Sequence, residues 1–222
     1  MPFDSLRDFM DHLESRGRLV RVTAPVSPHL EMTEIHTRLL AEKGPAVLFE
    51  NVEGYDMPVL INLFGTVERV AWGMDREPDQ LRELGRTLAF LKQPEPPGGW
   101  REAMELVPVL RSALSMRPKG VSRAPCQEVV LQGDDIDLSK LPVQGCWPGE
   151  PAPLITWPLV VTKGPSKERS DAFNLGIYRM QVTGRNTTLM RWLKHRGGAQ
   201  HHQRWGQSKR EPLPAAAVIG AD

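Results

Sequence analysis

The strongest constraint on how this chain can fold is a change of period part-way along it. Up to about residue 120, apolar residues recur at helical spacing in several segments. From Cys126 onwards the sequence is extended and turn-rich, with little helical period. Between the two regimes lies Gln93-Pro-Glu-Pro-Pro-Gly-Gly99. Its prolines lack N–H donors and push their predecessors towards extended geometry, which rules out helix or inner strand there. The pattern predicts an α+β protein: an N-terminal α/β domain over residues 1–120, a boundary near Pro118–Pro125, and a mostly β domain over residues 121–222. A chain of 222 residues is long enough for one large core or two small ones.

Within the first part, Asp4 is placed to cap a helix carrying Leu6, Phe9, Met10 and Leu13 on one face, with Gly17 as its stop. Leu19–Val26 reads as a strand. A second helix is expected over Glu31–Lys43, striped with Met32, Ile35, Leu39 and Leu40 and followed by Gly44. Ala46–Phe49 and Val59–Asn62 read as short strands either side of the turn residues Glu53–Met57. Helices are expected at Thr66–Met74, at Pro78–Lys92 and, despite Pro108, at Trp100–Leu114. No internal repeat is present.

Composition narrows the function classes. With 40% hydrophobic and 25% charged residues the chain is of soluble globular type. A net charge of +1 gives no general attraction to nucleic acid or membrane, so anion recognition has to be local. No apolar run approaches the roughly 20 residues of a membrane span, and the N-terminus MPFDSLRDFM is not a signal peptide. Cys126 and Cys146 form neither a disulfide framework nor a zinc pattern and read as small buried hydrophobes in a reducing, cytoplasmic setting.

One stretch gathers ligand-type side chains, NLGIYRMQVTGRNTTLMRWLKHRGG from Asn174 to Gly198. Gly184-Arg185 has the glycine-first signature of a two-residue hairpin turn. That turn sets Thr183 opposite Asn186, Tyr178 opposite Arg191 and Asn174 opposite His195. Facing residues lie about 5 Å apart at Cβ, close enough for an amide oxygen and an imidazole to share a cation. Arg179 alternates to the other face, so serving the same site needs a bend, for which Gly176 is the candidate. Arginines and the exposed N–H groups of Gly197 and Gly198 suit a phosphate. The same residues also fit a solvated sheet face with a structural histidine.

Other features read as structural. His29 and His36 sit beside apolar helix positions, and His201 and His202 read as loop. Asp134, Asp135 and Asp137 lack the glycine and glutamate spacing of a calcium loop. Trp147 and Trp157 are expected to pack beneath the sheet, and Cys146 has no base near it in sequence.

Several long segments carry a more specific signal: HLEMTEIHTRLL, GPAVLFENVEGYDMPVLINLFGT, LAFLKQPEPPGGWREAM, APCQEVVLQGDDIDLSKLPVQGCWPGEPAPLITWPLVVTKGP, NLGIYRMQV and MRWLKHRGGA. With these the chain resembles the UbiD-type decarboxylases, in particular the 3-octaprenyl-4-hydroxybenzoate carboxy-lyases of ubiquinone biosynthesis. The resemblance implies a split β-barrel of the flavin-reductase type after the N-terminal domain. It also implies loss of CO₂ from an aromatic or α,β-unsaturated acid, with prenylated FMN held through its phosphate by Mn²⁺ and a monovalent cation such as K⁺ nearby. The metal ligands fall on Asn174 and His195. The flavin contacts fall on Ile177, Tyr178, Arg179, Arg191, Trp192, Leu193, Arg196 and Gly197. Arg179 matches the arginine that meets the substrate carboxylate.

That family is about twice as long. The resemblance therefore implies that a third metal ligand, a glutamate, lies beyond residue 222, with the acidic residues of proton transfer and much of the homo-oligomer contact. Three expectations follow: a truncated barrel, weak or absent activity for these residues alone, and open strand edges that favour self-association. The resemblance also implies a small aromatic or unsaturated carboxylic acid as partner, with peripheral membrane contact if it is prenylated. Nucleic acid and membrane insertion are not expected. The alternative is a non-catalytic flavin- or nucleotide-binding module, or one half of a split enzyme.

Overall fold

The computed structural model describes residues 3–92, 99–100, 104, 107, 111, 120–168 and 171–220. The proline-rich segment 93–99 and the expected helix over 100–114 lie mostly outside the described residues. Contacts divide the chain into two compact units, Val67–Gly133 and a unit made of Phe3–Thr66 with Asp134–Asp222. The architecture is α+β, as the patterning predicts.

The composite unit begins with α1 (Leu6–Ser15), which buries Phe9 and Leu13. Its cap is Ser5, one residue later than expected: the hydroxyl accepts the Asp8 N–H at 3.2 Å. The Asp8 carboxylate reaches back to the Asp4 N–H at 3.2 Å and the Ser5 hydroxyl at 3.0 Å. Arg21 on β1 (Leu19–Val22) then ties helix to strand, donating to Glu14 at 2.9 Å and to Glu50 at 3.1 Å. The expected strand to Val26 ends early; Val26 makes only an isolated bridge to Val52, beyond Pro25, which has no N–H to donate.

Helix α2 (Glu31–Ala41) carries the chain from β1 to the parallel neighbour β2 (Ala46–Phe49), and β3 (Val59–Ile61) returns antiparallel. All four residues of β2 are buried, as the unbroken apolar run of a central strand requires. The core here is Val26, Met32, Val47, Phe49, Val52 and Ile61, with Ile35 and Leu39 of α2 packed against it.

The Val67–Gly133 unit contains α3 (Val67–Gly73) and α4 (Leu81–Lys92). The start expected at Pro78 is a 3₁₀ turn, Pro78–Gln80, closed by a reciprocal Glu77–Gln80 cap. Cys126 is exposed, contrary to expectation, whereas Cys146 of the composite unit is buried.

The C-terminal part of the composite unit contributes two three-stranded antiparallel sheets. One orders β4 (Leu154–Ile155), β7 (Met180–Gly184) and β8 (Thr187–Met190); the other orders β6 (Asn174–Ile177), β5 (Leu159–Thr162) and β9 (Ala215–Val218). Among the described residues they form no closed barrel. Trp147 and Trp157, expected to pack beneath the sheets, are half exposed instead, and Trp157 lies 6.0 Å from Phe64, ring to ring.

Helix α5 (Gly197–Ser208) packs on β6 and β5. The expected loop at His201 and His202 is thus helical. The glycine pair at its start hides the helix from propensity, and packing overrides that. Arg204 fastens it, donating to the buried Asp171 at 2.6 Å.

Two outcomes test this packing. Phe49→Ala, at a side chain 1% exposed, is expected to lower the unfolding free energy by about 3–5 kcal/mol in urea titration. The Ser166 hydroxyl, and then the Arg204 guanidinium, hold the Asp171 carboxyl below its ordinary value of 3.8. Its contribution to stability is therefore complete above that value and lost as pH falls through the lowered one. Asp171→Asn is expected to reduce the melting temperature at neutral pH and to flatten its decline on acidification, measured by circular dichroism.

Candidate cofactor and metal site

The hairpin forms, but with a different register. Met180 pairs with Met190, Gln181 with Leu189 and Val182 with Thr188. After a bulge at Thr183, Gly184 pairs with Thr187. The two turn residues are thus Arg185 and Asn186. A glycine-first turn needs positive φ at the glycine, and Gly184 is not among the residues that adopt it. Tertiary contacts hold the turn in place: the Arg185 carbonyl accepts the Leu138 N–H at 2.7 Å, and its guanidinium lies 3.7 Å from Asp137.

The larger correction concerns Asn174, which is not opposite His195. Strand β6 leaves the hairpin's sheet and pairs with β5, so Asn174 faces Thr162, Leu175 faces Val161 and Gly176 faces Val160. The bend falls at Tyr178 and Arg179, between β6 and β7, and not at Gly176. Gly176 is needed for another reason. A Cβ there would lie 2.7 Å from the Tyr178 ring, which folds back across the strand.

Asn174 nonetheless reaches the segment that carries His195, by way of α5. Its amide oxygen lies against Gly197, so closely that a Cβ at that position would collide with it. The next residue is equally confined: the Gly198 N–H donates to the Tyr178 hydroxyl at 3.1 Å, and a Cβ there would press on Trp192 and Tyr178 at 3.2–3.3 Å. The two glycines let the N-terminus of α5 descend onto β6. Arg196 is its N-cap residue and places no side-chain cap over it.

The remaining expected residues surround this contact unevenly. His195 is exposed in the turn before α5; its carbonyl accepts from Gln200 at 3.3 Å. Arg179, Arg191, Leu193 and Arg196 are exposed, as is Ile177. Trp192 is partly buried, edge-on to Tyr178 at 5.9 Å and to His202 at 5.7 Å. Its buried Nε1 has no hydrogen-bond partner among the described residues. Tyr178 is buried. One end of β6, the chain before α5 and the start of α5 therefore come together around Asn174, Tyr178, Trp192, Gly197 and Gly198.

Two buried residues of the site were not foreseen. Thr162 on β5, 1% exposed, receives the Asn174 amide N–H at 3.4 Å and lies 3.0 Å from His201 Nδ1. His201, 3% exposed, is one turn into α5, and that helix was the missing signal. The Cys146 thiol is poorly suited to act as a nucleophile. Burial and then the Glu150 carboxylate push its thiol up, outweighing the Thr33 hydroxyl and Arg179, so it stays protonated at neutral pH.

Set beside this geometry, the chain matches two models of one family. Residues 10–88 match the 3-octaprenyl-4-hydroxybenzoate carboxy-lyase N-terminal domain, and residues 119–222 match its Rift-related domain. Among solved structures, it is 26% identical to an evolved dimeric form of the UbiD-class enzyme HmfF from Pelotomaculum thermopropionicum in complex with prFMN. That match has a TM-score of 0.75 over 99% of this chain and 45% of the other. It is 29% identical to the vanillic acid decarboxylase of Sedimentibacter hydroxybenzoicus in closed form, with a TM-score of 0.74 over 99% and 43% of the two chains. At 24% identity and a TM-score of 0.73, apo 3,4-dihydroxybenzoic acid decarboxylase of Klebsiella pneumoniae shares its fold over 99% and 43% of the two chains. The chain thus spans less than half the length of the structures it matches. With both family models and these folds in agreement, the chain belongs to the UbiD family of carboxy-lyases.

Proposed function

We propose that this chain forms the cofactor-binding part of a non-oxidative decarboxylase that uses prenylated FMN with Mn²⁺ and a neighbouring K⁺. The single observation that carries this is the seating of the α5 N-terminus on β6, with the Asn174 amide oxygen against Gly197. Arg196 gives this helix no side-chain cap, and although the Gly198 N–H is taken by Tyr178, the terminus still offers positive potential to a phosphate. Asn174 and His195 would supply two neutral ligands to the divalent metal. The third, anionic ligand implied by the family resemblance would come from chain beyond residue 222. The orphaned Nε1 of Trp192 is a donor that a bound acceptor would satisfy. By the family resemblance, Ile177, Tyr178, Arg191, Leu193 and Arg196 would supply the remaining flavin contacts.

When bound, the modified flavin supplies an electron sink for the charge left on carbon as CO₂ departs. The work of this chain's own residues is positional and electrostatic. The exposed Arg179, in the bend between β6 and β7, would hold the acid's carboxylate bidentately and offset its charge during C–C cleavage. Leu175, Ile177 and Val218, exposed on one sheet, favour further apolar cover that excludes water and joins copies of the chain in a homo-oligomer.

Within this reading the substrate is an aromatic or unsaturated acid, most like 3-octaprenyl-4-hydroxybenzoate, and the enzyme is cytoplasmic with peripheral membrane contact. No helix among the described residues is long and apolar enough to cross a membrane.

The deciding experiment co-expresses the chain with a prenyltransferase that supplies prenylated FMN, then records flavin absorption with and without added Mn²⁺. The expected result is Mn²⁺-dependent flavin retention; an apo spectrum overturns the proposal. With the completing segment supplied, Arg179→Ala is expected to retain flavin but lower kcat/KM about 100-fold or more. Retained flavin with no CO₂ released from any aromatic acid, the completing segment being present, overturns the decarboxylase reading and leaves a non-catalytic flavin-binding module.

A further inference from the structure

Beneath Asn174 runs a buried chain of polar groups that no requirement of sheet or helix explains. His201 Nδ1 lies 3.0 Å from Thr162 Oγ1. The Asn174 amide nitrogen is 3.4 Å from the same oxygen and 3.5 Å from the Tyr178 hydroxyl, and that hydroxyl accepts the Gly198 N–H at 3.1 Å. Thr162 and His201 are 1% and 3% exposed, so their hydrogen bonds must be made inside the protein.

A hydroxyl has one proton to give, and its oxygen can accept as well. If His201 carries its proton on Nε2, Nδ1 takes the Thr162 proton. The Thr162 oxygen then faces Asn174 only as an acceptor. The amide must turn its NH₂ inward, which presents Oδ1 at Gly197, where the α5 N-terminus begins. If instead Nδ1 carries the proton, it donates to Thr162 and frees the hydroxyl proton for Asn174. The amide can then reverse, and an NH₂ group at the mouth of the site repels a cation. Because an asparagine's two ends are nearly isosteric, packing alone does not choose between these states; the proton on Thr162 does.

We infer that Thr162 and His201 are positioning residues for the cation site, committing Asn174 to its oxygen-out orientation through the Nε2–H tautomer of His201. The inference rests on the reading of Asn174 as a metal ligand. Groups that orient metal ligands from behind typically change affinity 10- to 100-fold when removed.

The test uses the whole 222-residue chain, Mn²⁺ and FMN, with free Mn²⁺ followed by electron paramagnetic resonance. Thr162→Val, which keeps the shape and removes the hydroxyl, is expected to weaken Mn²⁺ binding about 10-fold or more, and Thr162→Ser to restore it. His201→Phe is expected to act like Thr162→Val. In an Asn174→Asp background, where both side-chain ends are oxygens, Thr162→Val is expected to have no effect, an outcome that general loss of structure would not give. Loss of binding in Asn174→Ala together with unchanged binding in Thr162→Val overturns the inference and leaves the ligand reading standing. Absence of Mn²⁺ binding in the parent chain overturns both. Independently of metal, long-range ¹H–¹⁵N spectra report the tautomer, the His201 signal being the one lost in His201→Phe. A proton on Nδ1 overturns the inference.

Discussion

The contact on which the candidate site depends is the descent of one helix terminus onto one strand. At Gly197 and Gly198 the backbone of α5 comes so close to Asn174, Tyr178 and Trp192 that no side chain fits between. A helix that close brings its first turn into hydrogen bonding with the strand's end, the Gly198 N–H going to the Tyr178 hydroxyl. Burial of the strand's inner face also obliges Thr162, Asn174 and Tyr178 to find hydrogen-bond partners in one another and in α5. Helix position, site shape and side-chain orientation thus have a common origin. The ion pair of Arg204 with Asp171 secures the same helix farther along.

This arrangement assigns strands to sheets differently from a simple hairpin. Asn174 lies on β6 and pairs with β5, while the next strand, β7, belongs to the other sheet. The switch at Tyr178 and Arg179 turns one continuous apolar-polar stretch into two elements facing different neighbours. It leaves Tyr178 buried and Arg179 exposed, roles suited respectively to supporting a site and to meeting a charged substrate.

Local signals were strong where one element explains itself. The β2 run Ala46–Phe49 was legible because a central strand is apolar on both faces, and α2 because its stripe packs on that strand. The Ser5–Asp8 cap differed from expectation by one residue, a choice between adjacent capping side chains. The clustering of Asn174, Tyr178, Trp192 and the glycine pair near one another was also legible, since they occupy one short stretch. The route by which they meet was not. Register inferred from Gly184 assumed a turn conformation that the glycine does not adopt, and a slip of one residue reverses the face of every side chain.

The sequence by itself determined the α+β composition, the apolar core strands, the family and the short stretch in which the site's residues lie. Those follow from periodicity and from residue types whose chemistry is local. Only the tertiary structure decided that β6 pairs with β5, that a glycine-led segment becomes a helix, and that Thr162 and His201 stand behind Asn174. Pairing between strands and the docking of a helix depend on surfaces distant in sequence. Their free energies appear only when those surfaces are buried together, so no local pattern records them.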